Sequence, residues 1–486
     1  MFLARLLVLF SLVCISCAHS SFEQKQLKHA LDFATSNRLE LEILLQHYTY
    51  DSLKLEAAKF LIRNMPHCYS YQQGGEMDSV KRVRTYYSPF GQIDQTYARR
   101  WGHYTYRNLP KIYDAHIITA EYLIDNIDRA FDNWQKRPWN RSLSFEDFCE
   151  YLLPYRIGDE PLEEWRELYE KKYGYLLDSI YKGSDVVEAA NLVSRHLQEP
   201  VFIYCEDFEL PHIGPRYLFS HRYGSCVDAA DIVTYAFRAV GIPCMEDTDA
   251  RGGHVWNVVR DTTGRDVPIW YIASEAVRGS RDTGGYKRGK VYRPMYGFQE
   301  EWKSMPLLFY HPYMKDVSYA YYPDTLRILT GIPDDEVCYL AHFHEAHWWS
   351  CACARSASGK MEIPNLESEL VYLPMKYTKG NYYPSGFPFW FAGGEINTFL
   401  PDWEKTVKVR LYRKYPVYGW LRSFMSHVVG GTFEGSMTKN FEDGKTLYEI
   451  ADTPVIARNR IFLNKPVKCR YIRYKADNDK YAELAE

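Results

Sequence analysis

The sequence predicts an α+β multidomain protein, with a helical N-terminal region, a compact α+β core and C-terminal β-sandwich domains. Three observations carry this. The 486 residues exceed what one hydrophobic core serves, so two to four domains are expected. Apolar residues recur at helical spacing as far as about residue 200. After about Lys315 the texture changes to alternating β-branched and aromatic runs, broken by Gly and Pro. Aromatic residues make up 16% of the chain, with 42 Tyr, which suits β domains with exposed recognition surfaces. The net charge is −3 and there is no basic stripe, so nucleic acid is not an expected partner.

Residues 1–18 read as a targeting segment. Arg5 is its charged start, and Leu6 to Ile15 is an apolar stretch too short to span a membrane. Two processing routes remain open. Ser16-Cys17-Ala18 fits ordinary cleavage before His19. Cys14-Ile15-Ser16-Cys17 resembles a relaxed bacterial lipobox, with Cys17 as the lipidated first residue. Polar residues soon after Cys17 favour the lipoprotein. Both routes predict export: the first gives a periplasmic or secreted protein, the second a bacterial cell-envelope or surface lipoprotein with the lipid on Cys17 as its sole membrane attachment.

The helical region is placed at residues 22–140 and the core at 141–315. Asp51 and Ser52 can cap a helix running to Asn64, before Pro66. Lys111 to Trp134 carries Ile112, Ile117, Leu123, Ile127 and Phe131 along one face. Ser144 opens a helix with a capping-box pattern, ending at Leu153-Pro154. Pro161 starts another, running to Tyr173. Ser184 to Gln198 is a further helix.

The core holds the most telling residues. Cys226 lies in Gly224-Ser225-Cys226-Val227-Asp228, at the start of an amphipathic helix from Ser225 to Gly241. The unpaired N–H groups and positive dipole of a helix N-terminus favour a thiolate there, and can receive an oxyanion. His254 follows 28 residues later in Gly253-His254-Val255-Trp256, opening a strand, and can act as the base for that thiol. Asp228 and Arg222 read as a cap and as solvated surface.

At these residues the chain resembles the transglutaminase-like superfamily. That family carries its nucleophile in Gly-Ser-Cys, ahead of a helix ending Arg-x-x-Gly-Ile-Pro, matched here by Arg238 to Pro243. The family histidine in His-x-Trp is matched by His254-Val255-Trp256. The resemblance implies a papain-like α+β core and a Cys–His acyl-enzyme mechanism. Leu153-Pro154-Tyr155-Arg156 and its surroundings are similar to the helical prelude of bacterial lipoproteins with such a core. The family usually places an Asp on the next strand, and here the pattern is broken. Pairing across the turn at Asp261 to Gly264 puts His254 near Tyr271. Asp266 would fall near Val259, about 17 Å along the strand, and is rejected. Glu275 is the chosen orienting acid.

Residues 316–395 read as one antiparallel β-sandwich and 396–486 as a final β unit. Val407 to Tyr412, Thr432 to Ser436, Leu447 to Ile450 and Arg470 to Tyr474 supply its strands. Phe433-Glu434-Gly435-Ser436 and Tyr471-Ile472-Arg473-Tyr474 resemble framework pieces of the discoidin carbohydrate-binding module, which implies glycan binding. Tyr382, Tyr383, Phe389 and Trp390 are read as sandwich core, with a sugar-stacking platform as the alternative.

His342, His344 and His347 crowd one segment with Glu345. On a strand His342 and His344 share a face and could bind zinc with His347, but the chosen reading is a polar edge ahead of Trp348-Trp349, with no metal and no other cofactor expected. Nine cysteines lie beyond the targeting segment at irregular spacings that match neither a disulfide scaffold nor a zinc ribbon. The functional expectation is an exported cysteine hydrolase acting on an amide in a peptide, peptidoglycan or glycopeptide. The alternative is an inactive core in a surface lipoprotein that binds glycan or protein.

Overall fold

The computed structural model describes residues 22–83, 106–204, 210–250, 253–272, 275–281, 287–299, 312–329, 333–344, 347–402, 404–405, 425–454, 459–463 and 465–477. The targeting segment, Cys205 and the Val407–Tyr412 strand fall outside them. The architecture is α+β, helical at the N-terminal side and strand-rich at the C-terminal side. The chain divides into two compact units, residues 1–400 and 401–486. Among the described residues no helix is long and apolar enough to cross a membrane.

The first part packs α1 (residues 22–33), α2 (Arg38–His47), α3 (Ser52–Asn64), α4 (Glu76–Val83), α5 (Ala120–Lys136) and α6 (Phe145–Tyr151). The caps follow the sequence: Asp51 accepts from Lys54 N at 3.1 Å, and Ser144 from Asp147 N at 3.0 Å. The long helix expected from Lys111 starts only at Ala120, capped by Thr119. Lys111–Tyr113 instead forms strand β2, paired antiparallel with β1 (Tyr69–Tyr71). A tertiary pairing thus overrides a helical apolar pattern. Further on lie α7 (Arg166–Tyr175), α8 (Val186–Leu197) and α9 (Pro215–Ser220). The helix expected from Pro161 begins five residues late, because Trp165 leaves helical geometry and donates Nε1–H to Tyr155 O at 2.9 Å. Helix α8 starts two residues later than expected, at Val186, with Asp185 as its cap.

Helix α10 (Cys226–Ala239) is the hub of the first unit. It is buried on nearly every side, not amphipathic as expected. Helices α7 and α8 flank it, and strands β5 (Cys244–Asp249) and β6 (Val255–Arg260) pass across it. Two short parallel strands, β3 (Ile203–Tyr204) and β4 (Tyr223–Gly224), precede it. Ile232, Val233, Phe237 and Val240 are wholly buried, each stabilising the core by about 1.5–3 kcal/mol. The helix stops where the sequence says. Gly241 has φ +82°, and Ile242 N returns to Phe237 O at 2.8 Å.

The sheet under α10 is antiparallel, in the order β7-β6-β5-β8-β9, with β7 at Asp266–Ile269, β8 at Val291–Pro294 and β9 at Met314–Asp316. Buried Arg293 on β8 ties it together. Arg293 donates to Asp247 at 2.6 and 3.0 Å and to Asp266 at 2.8 Å.

Residues 324–398 form the β-rich part, which starts later than expected because Met314–Asp316 joins the core sheet. Strand β10 (Asp324–Leu329) pairs with β13 (Lys360–Leu366). Strands β11 (Val337–His344), β12 (His347–Arg355), β14 (Leu370–Thr378), β15 (Asn381–Pro384), β16 (Phe389–Ala392) and β17 (Glu395–Thr398) make a six-stranded sheet. This part stays within the first unit. Glu367 accepts from Arg288 N and Gly289 N at 2.6 and 3.0 Å, and Tyr292 OH donates to Cys351 O at 2.7 Å. The aromatics divide between the two readings: Phe389 is core, while Tyr383 and Trp390 are surface. In the second unit β18 (Thr432–Ser436) sits between β19 (Lys445–Glu449) and β20 (Tyr471–Lys475), all antiparallel.

Candidate active site around Cys226 and His254

Ser225 caps α10 in a reciprocal box. Its Oγ accepts from Val227 N at 3.3 Å, and Asp228 Oδ2 accepts from Ser225 N at 2.8 Å. The carboxyl of Asp228 folds back over Gly224 so closely that a Cβ there would collide with it. Gly224, Ser225 and Asp228 are therefore fixed by this helix start. Cys226 occupies the first helical position and is 6% exposed. Arg222 is not solvated surface. It is buried, and its guanidinium donates to Tyr173 OH at 2.9 Å and to Leu218 O.

His254 immediately precedes β6. Its carbonyl accepts from Thr248 Oγ1 at 3.0 Å, and Gly253 N is held by the buried Asp249 carboxylate at 2.9 Å. Strand β6 is clamped to α10 through Asn257, whose Nδ2 donates to Ala230 O at 3.0 Å and Thr234 Oγ1 at 2.9 Å. At the opposite end Arg260 N reaches Pro243 O, past the helix C-terminus, at 3.1 Å. The strand therefore runs in the same sense as the helix. From Asn257 back to His254 is about 10 Å of strand, and from Ala230 back to Cys226 about 6 Å of helix. Both residues thus come to the same end of α10.

The imidazole is flanked by aromatic rings. Trp270 meets it edge-on at 4.7 Å between centroids, and Trp256 lies tilted at 5.7 Å. The β6–β7 ladder pairs Asn257 with Ile269 and Arg260 with Asp266, one residue off the expected register. Asp266 is at the far end of the strand, committed to Arg293 and Arg260. Glu275 lies at the surface. Its carboxylate takes a hydrogen bond from Arg195 Nη1 at 2.5 Å, and both side chains are more than half exposed.

Sequence reasoning missed an imidazole–carboxylate pair formed between a loop and α10. His212 Nδ1 lies 2.9 Å from each oxygen of the fully buried Asp231. The available signal was Asp231 itself, a charge inside the apolar run from Ala229 to Val240.

Among the described residues no cluster of metal-ligating side chains occurs. His342 is buried on β11, His344 pairs with His347 in the β11–β12 ladder, and Glu345 lies outside the described residues. The described cysteines outside the site are free thiols.

Comparison with family models, with curated proteins and with solved structures finds no match.

Proposed function

We propose that the chain is an exported cysteine hydrolase of the transglutaminase-like kind, cleaving an amide bond in a peptide, peptidoglycan stem or glycopeptide. The observation that carries the reading is the Asn257 clamp, which holds the strand that follows His254 along the helix that Cys226 opens. In this reading His254 takes the thiol proton and Cys226 Sγ attacks the amide carbonyl. The oxyanion collects at the helix N-terminal N–H groups. His254 then returns the proton to the departing amine, and water resolves the acyl-enzyme. The Trp270 and Trp256 rings hold the imidazole from the side. The targeting segment, the six-stranded sheet and the discoidin-like unit then serve placement and recognition at the cell surface.

A second reading, an inactive core in a surface lipoprotein that binds glycan or protein, is favoured by one observation. Glu275, the expected orienting acid, is engaged by Arg195 at the surface. Incubating the native protein with an electrophilic thiol probe separates the two. Rapid modification at Cys226 that needs His254 supports hydrolysis. An inert Cys226 sinks hydrolysis and leaves the binding reading.

A further inference from the structure

A cleft of about 780 Å³ runs beside α10, lined by Val227 and Arg238 on that helix. The volume suits a small-molecule ligand. Its polar end is built, not incidental. His212 lines it, with Nδ1 fixed by buried Asp231 and its backbone N–H bound to Asp159 Oδ1 at 2.8 Å. Three residues along the helix, Thr234 Oγ1 donates at 2.7 Å to Oε1 of Glu246, which also lines the cleft. Positions three apart on a helix are neighbours, so α10 anchors an imidazole and a carboxyl side by side. The His212 ring packs against Gly158 at its Nε2 and Cδ2 atoms, where any Cβ would collide with it.

The opposite walls are aromatic, with Tyr69, Tyr106, Tyr113 and Tyr313, and His67 stacked on Tyr313 at 3.5 Å. Side chains of both signs line the cleft, Lys111, Arg156 and Arg238 with Glu150, Asp159 and Glu246, and Arg156 is bound by Asp114 at 2.5 and 2.6 Å. Neither sign predominates, and donors and acceptors stand together. A neutral ring with hydroxyls that both donate and accept, and with flat C–H faces for the phenol rings, finds both.

We propose that this cleft binds a neutral saccharide, with His212 and Glu246 bonding adjacent hydroxyls and the tyrosine wall packing against the ring. Burial holds the Glu246 carboxyl above its ordinary range. Ser225 and Val227, on either side of Cys226, also line the cleft, so a bound sugar lies beside the thiol segment. The inference does not depend on Cys226 being a nucleophile.

The test is titration calorimetry on the full chain carrying Cys226→Ala, with glucose, N-acetylglucosamine, cellobiose and chitobiose as ligands. Tetramethylammonium chloride and sodium acetate are the ionic controls. At least one saccharide should bind saturably. Tyr113→Ala and Glu246→Gln should each weaken it about tenfold, the cost of one ring contact or one good hydrogen bond. The proposal is overturned if no saccharide binds, if both variants bind as tightly as the parent, or if only the ionic controls bind. Thiol reactivity of the wild-type Cys226 is measured separately, so saccharide binding can fail while the hydrolase reading stands.

Discussion

Asn257 on β6 donates its side-chain amide to the carbonyl of Ala230, one helical turn beyond Cys226, at 3.0 Å. The same amide reaches Thr234 Oγ1, which itself bonds Glu246. This buried junction sets the phase of the strand against the helix, and therefore where His254 arrives. Asn257→Ala should cost about 2–3 kcal/mol in denaturant unfolding, from the lost hydrogen bonds and the void left behind. In buffer where the variant is still folded, Cys226 modification should also slow. A stability loss with unchanged Cys226 reactivity would mean that Asn257 does not set the position of His254.

Thiol labelling should be selective. Burial pushes the thiols of Cys68, Cys244 and Cys353 up to about 12 and that of Cys338 to about 11, and raises Cys149 and Cys351 as well. Those groups should be inert to iodoacetamide at about pH 6, where a helix-terminal, imidazole-paired thiol still reacts. Peptide mapping should show Cys226 labelled first, ahead of the half-exposed Cys469 too. His254→Ala should slow the Cys226 reaction by at least about tenfold, by removing the cationic partner of the thiolate. Equal rates in wild type and variant would remove His254 from the site.

Glu275→Gln should be nearly silent. Its partner Arg195 is 54% exposed and Glu275 itself 53%, so their ion pair contributes little to stability. The change in unfolding free energy should stay below about 1 kcal/mol, and Cys226 labelling should change less than about twofold. A large drop in labelling would restore Glu275 as the acid that orients His254.

Much of this was legible in the sequence where the cause is local. The caps at Asp51, Ser144 and Ser225, the stop at Gly241 and the turn at Asp261 to Gly264 are decided by a few neighbouring residues. The strands at Thr432, Lys445 and Tyr471 were readable for the same reason. Failures came where partners are distant in the chain. Lys111–Tyr113 looks helical until Tyr69–Tyr71 pairs with it, and Arg222 looks solvated until Tyr173 packs over it. His212 and Asp231 are 19 residues apart, on a loop and a helix, so no spacing rule joins them. The helix start at Cys226 and the strand start beside His254 were readable from their motifs. The tryptophan flank was not, because Trp270 reaches the imidazole only through the β6–β7 pairing.

The last prediction concerns pH. Glu150 lies in the cleft wall, and its two oxygens accept from Tyr296 N at 2.9 Å and Gly297 N at 3.1 Å. Burial pushes its carboxyl up to about 7, against those hydrogen bonds and the nearby Arg238, which pull it down. The folded protein therefore holds this proton more tightly than the unfolded chain, where a glutamate titrates near 4.5. The stability this group contributes is fully present below about pH 4.5 and is lost as pH rises through about 7. Glu150→Gln removes the titration while keeping the shape. The wild type should accordingly lose about 2 kcal/mol relative to the variant between pH 4.5 and 7.5, a figure reduced for partial contact with water. Denaturant unfolding of both proteins across that range measures the difference directly, and background titrations common to both cancel. A difference that does not change with pH would mean that Glu150 is ionised in the folded protein throughout, with its two backbone donors outweighing its burial.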